Sequence, residues 1–213
     1  MEHESHHHHH APKTGVRWLD LGLGLSAGVV SLVSLWLGLH SAHSMEKLVA
    51  ANSYPYLELM RSNISTVRMP DSDRMRQTVT YFFENNGIGP ARIEWVQFNF
   101  KGKPMRDMND LIEACCSMAG SDLRAIDTRG NVVNALVRPG TSVPMFTWNE
   151  PSTPNPAFYA LLKQMNDITF SACYCSVFDE CYVRSDDDRK PQPVEQCTPP
   201  AVTFRPGFHP KGA

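Results

Sequence analysis

The chain has 213 residues, with 20 Lys and Arg against 22 Asp and Glu, and a formal net charge of −2. So even a balance gives no basic field to steer nucleic acid or to coat an anionic membrane. The length leaves room for one domain with a substantial core beside its terminal segments.

Residues 1–17 open with MEHESHHHHHAPKTG, a His-rich, low-complexity segment read as disordered and cytoplasmic. Its five consecutive histidines are either an expression tag or a native tract able to hold a soft metal loosely. Residues 18–40 follow as a predicted transmembrane helix. From Leu21 to Leu39 there is no charged residue, and about 1.5 Å of rise per residue makes the run long enough for a hydrocarbon core of roughly 30 Å. Trp18 and Trp36 lie near its ends, where indole rings favour the headgroup region. The small-x-small AHS at 42–44 offers the alternative of a cleaved signal peptide. The apolar run is longer than such peptides use, and no compact basic head leads it. Lys13 and Arg17 before the run, against Lys47 beside Glu46 after it, orient the N-terminus toward the cytoplasm. Gly24 and Gly28 form a small-xxx-small pair through which two such helices could approach, a weak homodimer contact.

Residues 45–190 are predicted as one external domain, mainly β, and 191–213 as a proline-rich, extended tail. The part from Met45 onward carries 18 Lys and Arg against 19 Asp and Glu, and all six cysteines, as suits an oxidising compartment. In RQTVTYFFENNGIGPARIEWVQFNF, Val79, Tyr81 and Phe83 alternate as a half-buried strand does, and NNGIGPA supplies a turn. Ala91, Ile93 and Trp95 then share one face, whereas Val96, Phe98 and Phe100 share the other. That switch predicts a β-bulge near Trp95–Val96, or a strand buried on both sides. VRMPDSD and KGKPM read as loops. Further strands are predicted at YPYLELM, NVVNALVR, SVPMFTW, ITFSACYCSV and ECYVR. One short helix carries Met108, Leu111, Ile112, Cys115 and Ala119 on a stripe. A second starts with Asn155 as N-cap and Pro156, with Phe158, Leu161, Leu162 and Met165 facing inward. Short strands, Gly/Pro turns and two connecting helices predict a two-sheet sandwich.

The membrane anchor, the strand and the phrase NNGIGPARI together resemble bacterial single-pass envelope proteins, in which an N-x-G-x-G-P-A turn joins two strands of an immunoglobulin-like external domain. The stretch CYCSVFDEC is similar to part of an uncharacterised family. The resemblance implies an immunoglobulin-like sandwich in the periplasm, anchored in the inner membrane. It carries no catalytic residue and no cofactor onto this chain.

Of nine histidines, only His209 lies in the domain beyond the anchor region, which leaves no Ser-His-Asp or Cys-His pair and no His-rich metal site there. Asp179, Glu180 and the DDD at 186–188 read as solvated loop acids rather than a catalytic or Ca²⁺-binding set. In ITFSACYC, Ile168, Phe170, Ala172 and Tyr174 take the core side, and Cys173 and Cys175 share the other face. Structural disulfides are the preferred reading. Cys175 and Cys181 would close a hairpin, and Cys197 would reach back to Cys173. Cys115 and Cys116 are neighbours, for which a mutual bond reads as strained and a partner elsewhere remains open. The function expected is a membrane-anchored, non-enzymatic binding or assembly module with a protein partner. The alternative is an envelope copper-binding protein using Cys173, Cys175 and methionines.

Overall fold

The computed structural model describes residues 15–69, 73–116, 123–124, 126–128 and 132–208. The histidine tract, Ala119 and His209 lie outside them. The chain forms two separate compact units. The first is built on one helix, α1 (Arg17–Ala51), which extends past the predicted 18–40 run. It is the one helix among the described residues long and apolar enough to cross a membrane, and its side chains are exposed all round.

The second unit is mainly β. Its elements are β1 (Leu57–Arg68), β2 (Met75–Asn85), β3 (Ala91–Phe100), β4 (Lys103–Met105), α2 (Met108–Cys115), β5 (Ile126–Thr128), β6 (Leu136–Val137) and β7 (Ser142–Asn149). After them come α3 (Pro156–Lys163), a 3-10 turn (Met165–Asp167), β8 (Ile168–Cys175), β9 (Cys181–Ser185) and β10 (Gln192–Val194). Sheet A has the order β1-β2-β7-β5 and sheet B the order β10-β9-β8-β3-β4, with β6 also on β3; every strand pairing is antiparallel.

The sheets face each other across an aromatic core. The Tyr81 ring of sheet A lies 5.3 Å from Phe98 and 5.4 Å from Phe170 of sheet B, centroid to centroid, and 5.2 Å from Phe146 beside it. Such rings each bury about 150–250 Å², and their edge and tilted contacts add about 0.5–1.5 kcal/mol per pair. Tyr81 keeps its hydroxyl satisfied by donating to the Met165 carbonyl at 3.0 Å. Burial raises its pKa.

The parity switch in β3 is real, but the register shift falls between Ile93 and Trp95, so the extra residue is Glu94. Ala91 and Ile93 point into the core, and so do Val96, Phe98 and Phe100, while Trp95 is outside the core cluster. KGKPM is not a loop. Lys101 and Gly102 both have positive φ and form a two-residue turn leading into β4, as a tight hairpin requires. Of the strand predicted at NVVNALVR only Leu136–Val137 forms among the described residues, and Asn134 before it takes a left-handed φ of 64°. Both short helices form. Asp107 caps α2 by accepting from the Asp110 amide, and Asn155 caps α3 by accepting from the Ala157 and Phe158 amides.

Candidate functional site

The face of sheet B that points away from the core carries Cys173, Cys175 and Cys181. Ile168, Phe170, Ala172 and Tyr174 of β8 are core residues, and Cys173 and Cys175 alternate with them, as the strand period dictates. Both cysteines are nevertheless buried, because the segment after β10 crosses over them. It starts on β9, the neighbour of β8, through the Gln192–Val194 pairing. It is joined to β8 by Cys197, whose sulfur lies at bonding distance from Cys173, with the Cα atoms 5.6 Å apart. Pro199 and Thr203 then meet Trp95 and Glu94 of β3 around a pocket of about 340 Å³, also lined by Asn134 and Arg205. The Phe204 amide finally donates to the Val96 carbonyl at 2.7 Å, and the Phe204 ring stacks on Phe98 at 4.4 Å inside the core. The proline-rich stretch is thus a strap woven across the sheet and tied by far more than its cysteine. Trp95, directly opposite Cys173 in register, has a buried Nε1 without a hydrogen-bond partner among the described residues.

Cys175 and Cys181 are register partners at the last strand pair before the β8–β9 turn, with their sulfurs at bonding distance and Cα atoms 4.0 Å apart. Cys115 and Cys116, for which a mutual bond reads as strained and the sequence leaves a partner elsewhere open, place their sulfurs at bonding distance from each other, the other four being paired. The two pairs on sheet B are close neighbours: Cys175 Sγ lies 3.6 Å from Cys197 Sγ. Peptide mapping without reduction is expected to find Cys173–Cys197 and Cys175–Cys181. A Cys175–Cys197 peptide, or free thiols, would contradict this arrangement. Cys197→Ser is expected to cost about 2–3 kcal/mol, since its bond closes the longer loop, whereas losing the six-residue closure costs less.

The NNGIGPA turn is the second built feature. Asn85 is the next inward position after Val79, Tyr81 and Phe83, and it is fully buried. Its Oδ1 accepts from the amides of Tyr56 (3.2 Å) and Gly87 (3.0 Å), and its Nδ2 donates to the carbonyls of Gly89 (2.8 Å) and Val137 (3.0 Å). Around it the Ile88 and Gly89 amides both donate to the Tyr54 carbonyl at 3.1 Å, and the Asn86 amide to that of Tyr56 at 2.9 Å. The turn therefore grips the segment that leads into β1. A Cβ at Gly87 or Gly89 would overlap the backbone of residues 53–56, which is why glycine stands at both.

Glu150 makes a third cluster. It follows Phe146 and Trp148 on the inward parity of β7, and its side chain is 1% exposed. Arg74 donates to it through both Nη atoms at 2.7 Å, the Gln77 amide at 3.1 Å and the Tyr159 hydroxyl at 2.9 Å. The Arg74 pairing first, then the Gln77 and Tyr159 hydrogen bonds, hold its carboxyl down at about 2 against the cost of burial.

Of the predicted loop acids, Asp179 is exposed at the β8–β9 tip and pairs with Arg92 at 2.8 Å. Asp186 differs from the solvated reading. Its carboxylate is only 8% exposed, accepts from the Phe170 amide at 3.2 Å and lies 3.8 Å from Arg61; burial raises its pKa. The NNGIGPA turn is legible in the sequence, but neither the buried side chain of Asn85 as its hub nor Glu150 was singled out. The usable signal was a polar residue on the next inward step of an apolar alternation.

No protein-family model matches the chain, and no curated protein shows significant similarity to it.

Proposed function

We propose that the protein is a membrane-anchored, non-enzymatic binding or assembly module of a cell envelope. In this reading α1 is a single-pass anchor with a cytoplasmic N-terminus, and the β-domain is periplasmic. The observation that carries it is the free edge of sheet A. β1 lies at that edge, and among the described residues its outer half pairs only with β2. Ile64 and Val67 stand exposed there. An extended segment of a partner protein could add to this edge through main-chain hydrogen bonds, its side chains seated on those apolar groups. The charge flank of Lys13 and Arg17 supports the orientation, and the apolar circumference of α1 supports lipid exposure. Gly24 and Gly28, with open space around both, are the point at which two anchors would meet. The two antiparallel sheets and the N-x-G-x-G-P-A turn support grouping the domain with immunoglobulin-like envelope sandwiches.

A photo-reactive phenylalanine placed at Ile64 in the full chain, in native membranes, is expected to give one discrete protein adduct that disappears with Val67→Glu. Labelling no stronger than at exposed Lys103, on the other sheet, would count against strand addition. Alkaline phosphatase fused after residue 60 is expected to be active, and an active β-galactosidase fusion there instead would reverse the orientation.

A second reading has a specific observation behind it. The sulfurs of Cys175, Cys181 and Cys197 all lie within 4.8 Å of one another, so full reduction would leave three thiolates suited to a soft ion such as Cu(I). One equivalent of Cu(I) bound after reduction, and lost with Cys181→Ser, is the expected result on that reading.

A further inference from the structure

Register sorts the loops of the β-domain between its two ends. β1 starts at Leu57 opposite Asn85, the last residue of β2, and β7 starts opposite Glu84. β3 begins beside β6 and beside the end of β8, where Cys175 faces Cys181. The 86–90 turn, β6 and the 176–180 hairpin tip therefore share one end, and at that end the chain arrives from α1. Four large apolar side chains stand in solvent there: Ile88 at 62% exposure, Leu136 at 55%, Val177 at 50% and Phe178 at 53%. Two of them sit side by side on a hairpin tip, where a polar residue would cost the fold nothing.

We propose that this end is a membrane-contacting surface, with Ile88, Val177 and Phe178 entering the interfacial layer of the bilayer that α1 crosses. The inference rests on the reading of α1 as a membrane span. From Leu21 to Met45 the helix carries no Asp, Glu, Lys or Arg. That is about 38 Å of helix against a hydrocarbon core of roughly 30 Å, so Glu46 and Lys47 fall at headgroup level. Ala51, the last helical residue, is about 6 Å further along. Three residues later the Tyr54 carbonyl is already held by the Ile88 and Gly89 amides. A chain that short spans at most about 10 Å, so the 86–90 turn is tethered near the headgroups. Tyr54 on the tether packs edge-on against Tyr182 at 5.3 Å, and half-buried tyrosines suit a boundary that is wet on one side and apolar on the other. Arg92 at this end is engaged by both Glu94 and Asp179, and the proposed contact is made by the apolar tips.

The test uses the full chain in phosphatidylcholine bilayers with and without brominated acyl chains, which quench indole emission on contact. In a Trp18→Phe/Trp36→Phe background the remaining Trp95 and Trp148 are buried and give a constant signal. Phe178→Trp in that background is expected to add emission that is blue-shifted and quenched by the brominated lipid, and Ile88→Trp likewise. Val67→Trp, at the opposite end, is expected to add emission that stays unquenched. The Trp18→Phe chain, which retains Trp36, reports on the anchor itself. Quenching at Trp36 without quenching at positions 178 and 88 would overturn this inference alone. No quenching at Trp36 would overturn the anchor and the inference with it. A blue shift at 178 found in native membranes but absent in pure lipid would assign the surface to a protein instead.

Discussion

Asn85→Ala is expected to lower the stability of the β-domain by about 4 kcal/mol, the largest effect of any single polar substitution considered for this protein. Alanine would leave the Tyr56 and Gly87 amides and the Gly89 and Val137 carbonyls without the partner that now serves all four. Each such buried group costs about 1–3 kcal/mol, and water entering the space recovers part of the sum. Against a total of about 5–15 kcal/mol for a domain, this is a large fraction, and Tm should fall by roughly 10 °C. Gly89→Ala should act on the same feature by a different route, because its Cβ would overlap the Ser53 carbonyl and push the arriving segment off the turn. Hydrogen exchange of the Ile88 and Gly89 amides, which donate to Tyr54, should accelerate in both variants. A loss under about 1 kcal/mol for Asn85→Ala, with exchange unchanged, would show that the turn holds without its hub.

Glu150→Gln is expected to cost about 3 kcal/mol near neutral pH. It removes a charge that accepts from Arg74 twice, from Gln77 and from Tyr159. The cost stays below the upper range for broken buried pairs because the Arg74 side chain, 51% exposed, keeps its hydration when the partner is lost. The pH dependence is distinctive. The folded-state pKa, about 2, lies below the ordinary 4.5, so protonation favours the unfolded chain. The contribution of Glu150 is complete above about pH 5 and is lost as pH falls from there through about 2. Denaturant titrations should find wild type and Glu150→Gln well separated near pH 7 and converging near pH 3. Parallel stability curves over that range would mean that the carboxylate carries no depressed pKa.

What the sequence disclosed follows from what periodicity encodes. Alternation in Val79–Phe83 and in Ile168–Tyr174 places side chains on faces, so the two-sheet core and the outward Cys173 and Cys175 were legible. The caps at Asn155 and Pro156 were legible for the same local reason. The strap was not, because proline-rich chain has no period, and its contacts at Val96, Phe98 and Trp95 lie about a hundred residues away in sequence. The β4 hairpin was hidden by its length, three residues after a Lys-Gly turn. Asn85, Glu150 and Asp186 share a lesson. Each extends an inward parity already set by its strand, yet a polar residue reads naturally as the end of that strand. In the fold it is where buried main-chain groups from other segments converge. The bulge was visible as a parity change, and the register shift falls just before Trp95, which is apolar and buried on the outer face rather than in the core.

The strap also imposes an order of events during synthesis. Phe204 is fully buried against Phe98, and Phe98 in turn packs on Tyr81, Phe146 and Phe170. A chain that emerges N-terminus first has the ten described strands available before this ring arrives, and until then the core has a gap the size of a phenylalanine. Cys173, Cys175 and Cys181 likewise emerge before Cys197 does. During that interval Cys173 has no native partner, while two other thiols lie within eight residues of it. The hairpin register sets Cys175 directly against Cys181, so once β8 and β9 pair, that contact favours the Cys175–Cys181 bond over one to Cys173 while Cys197 is still to come.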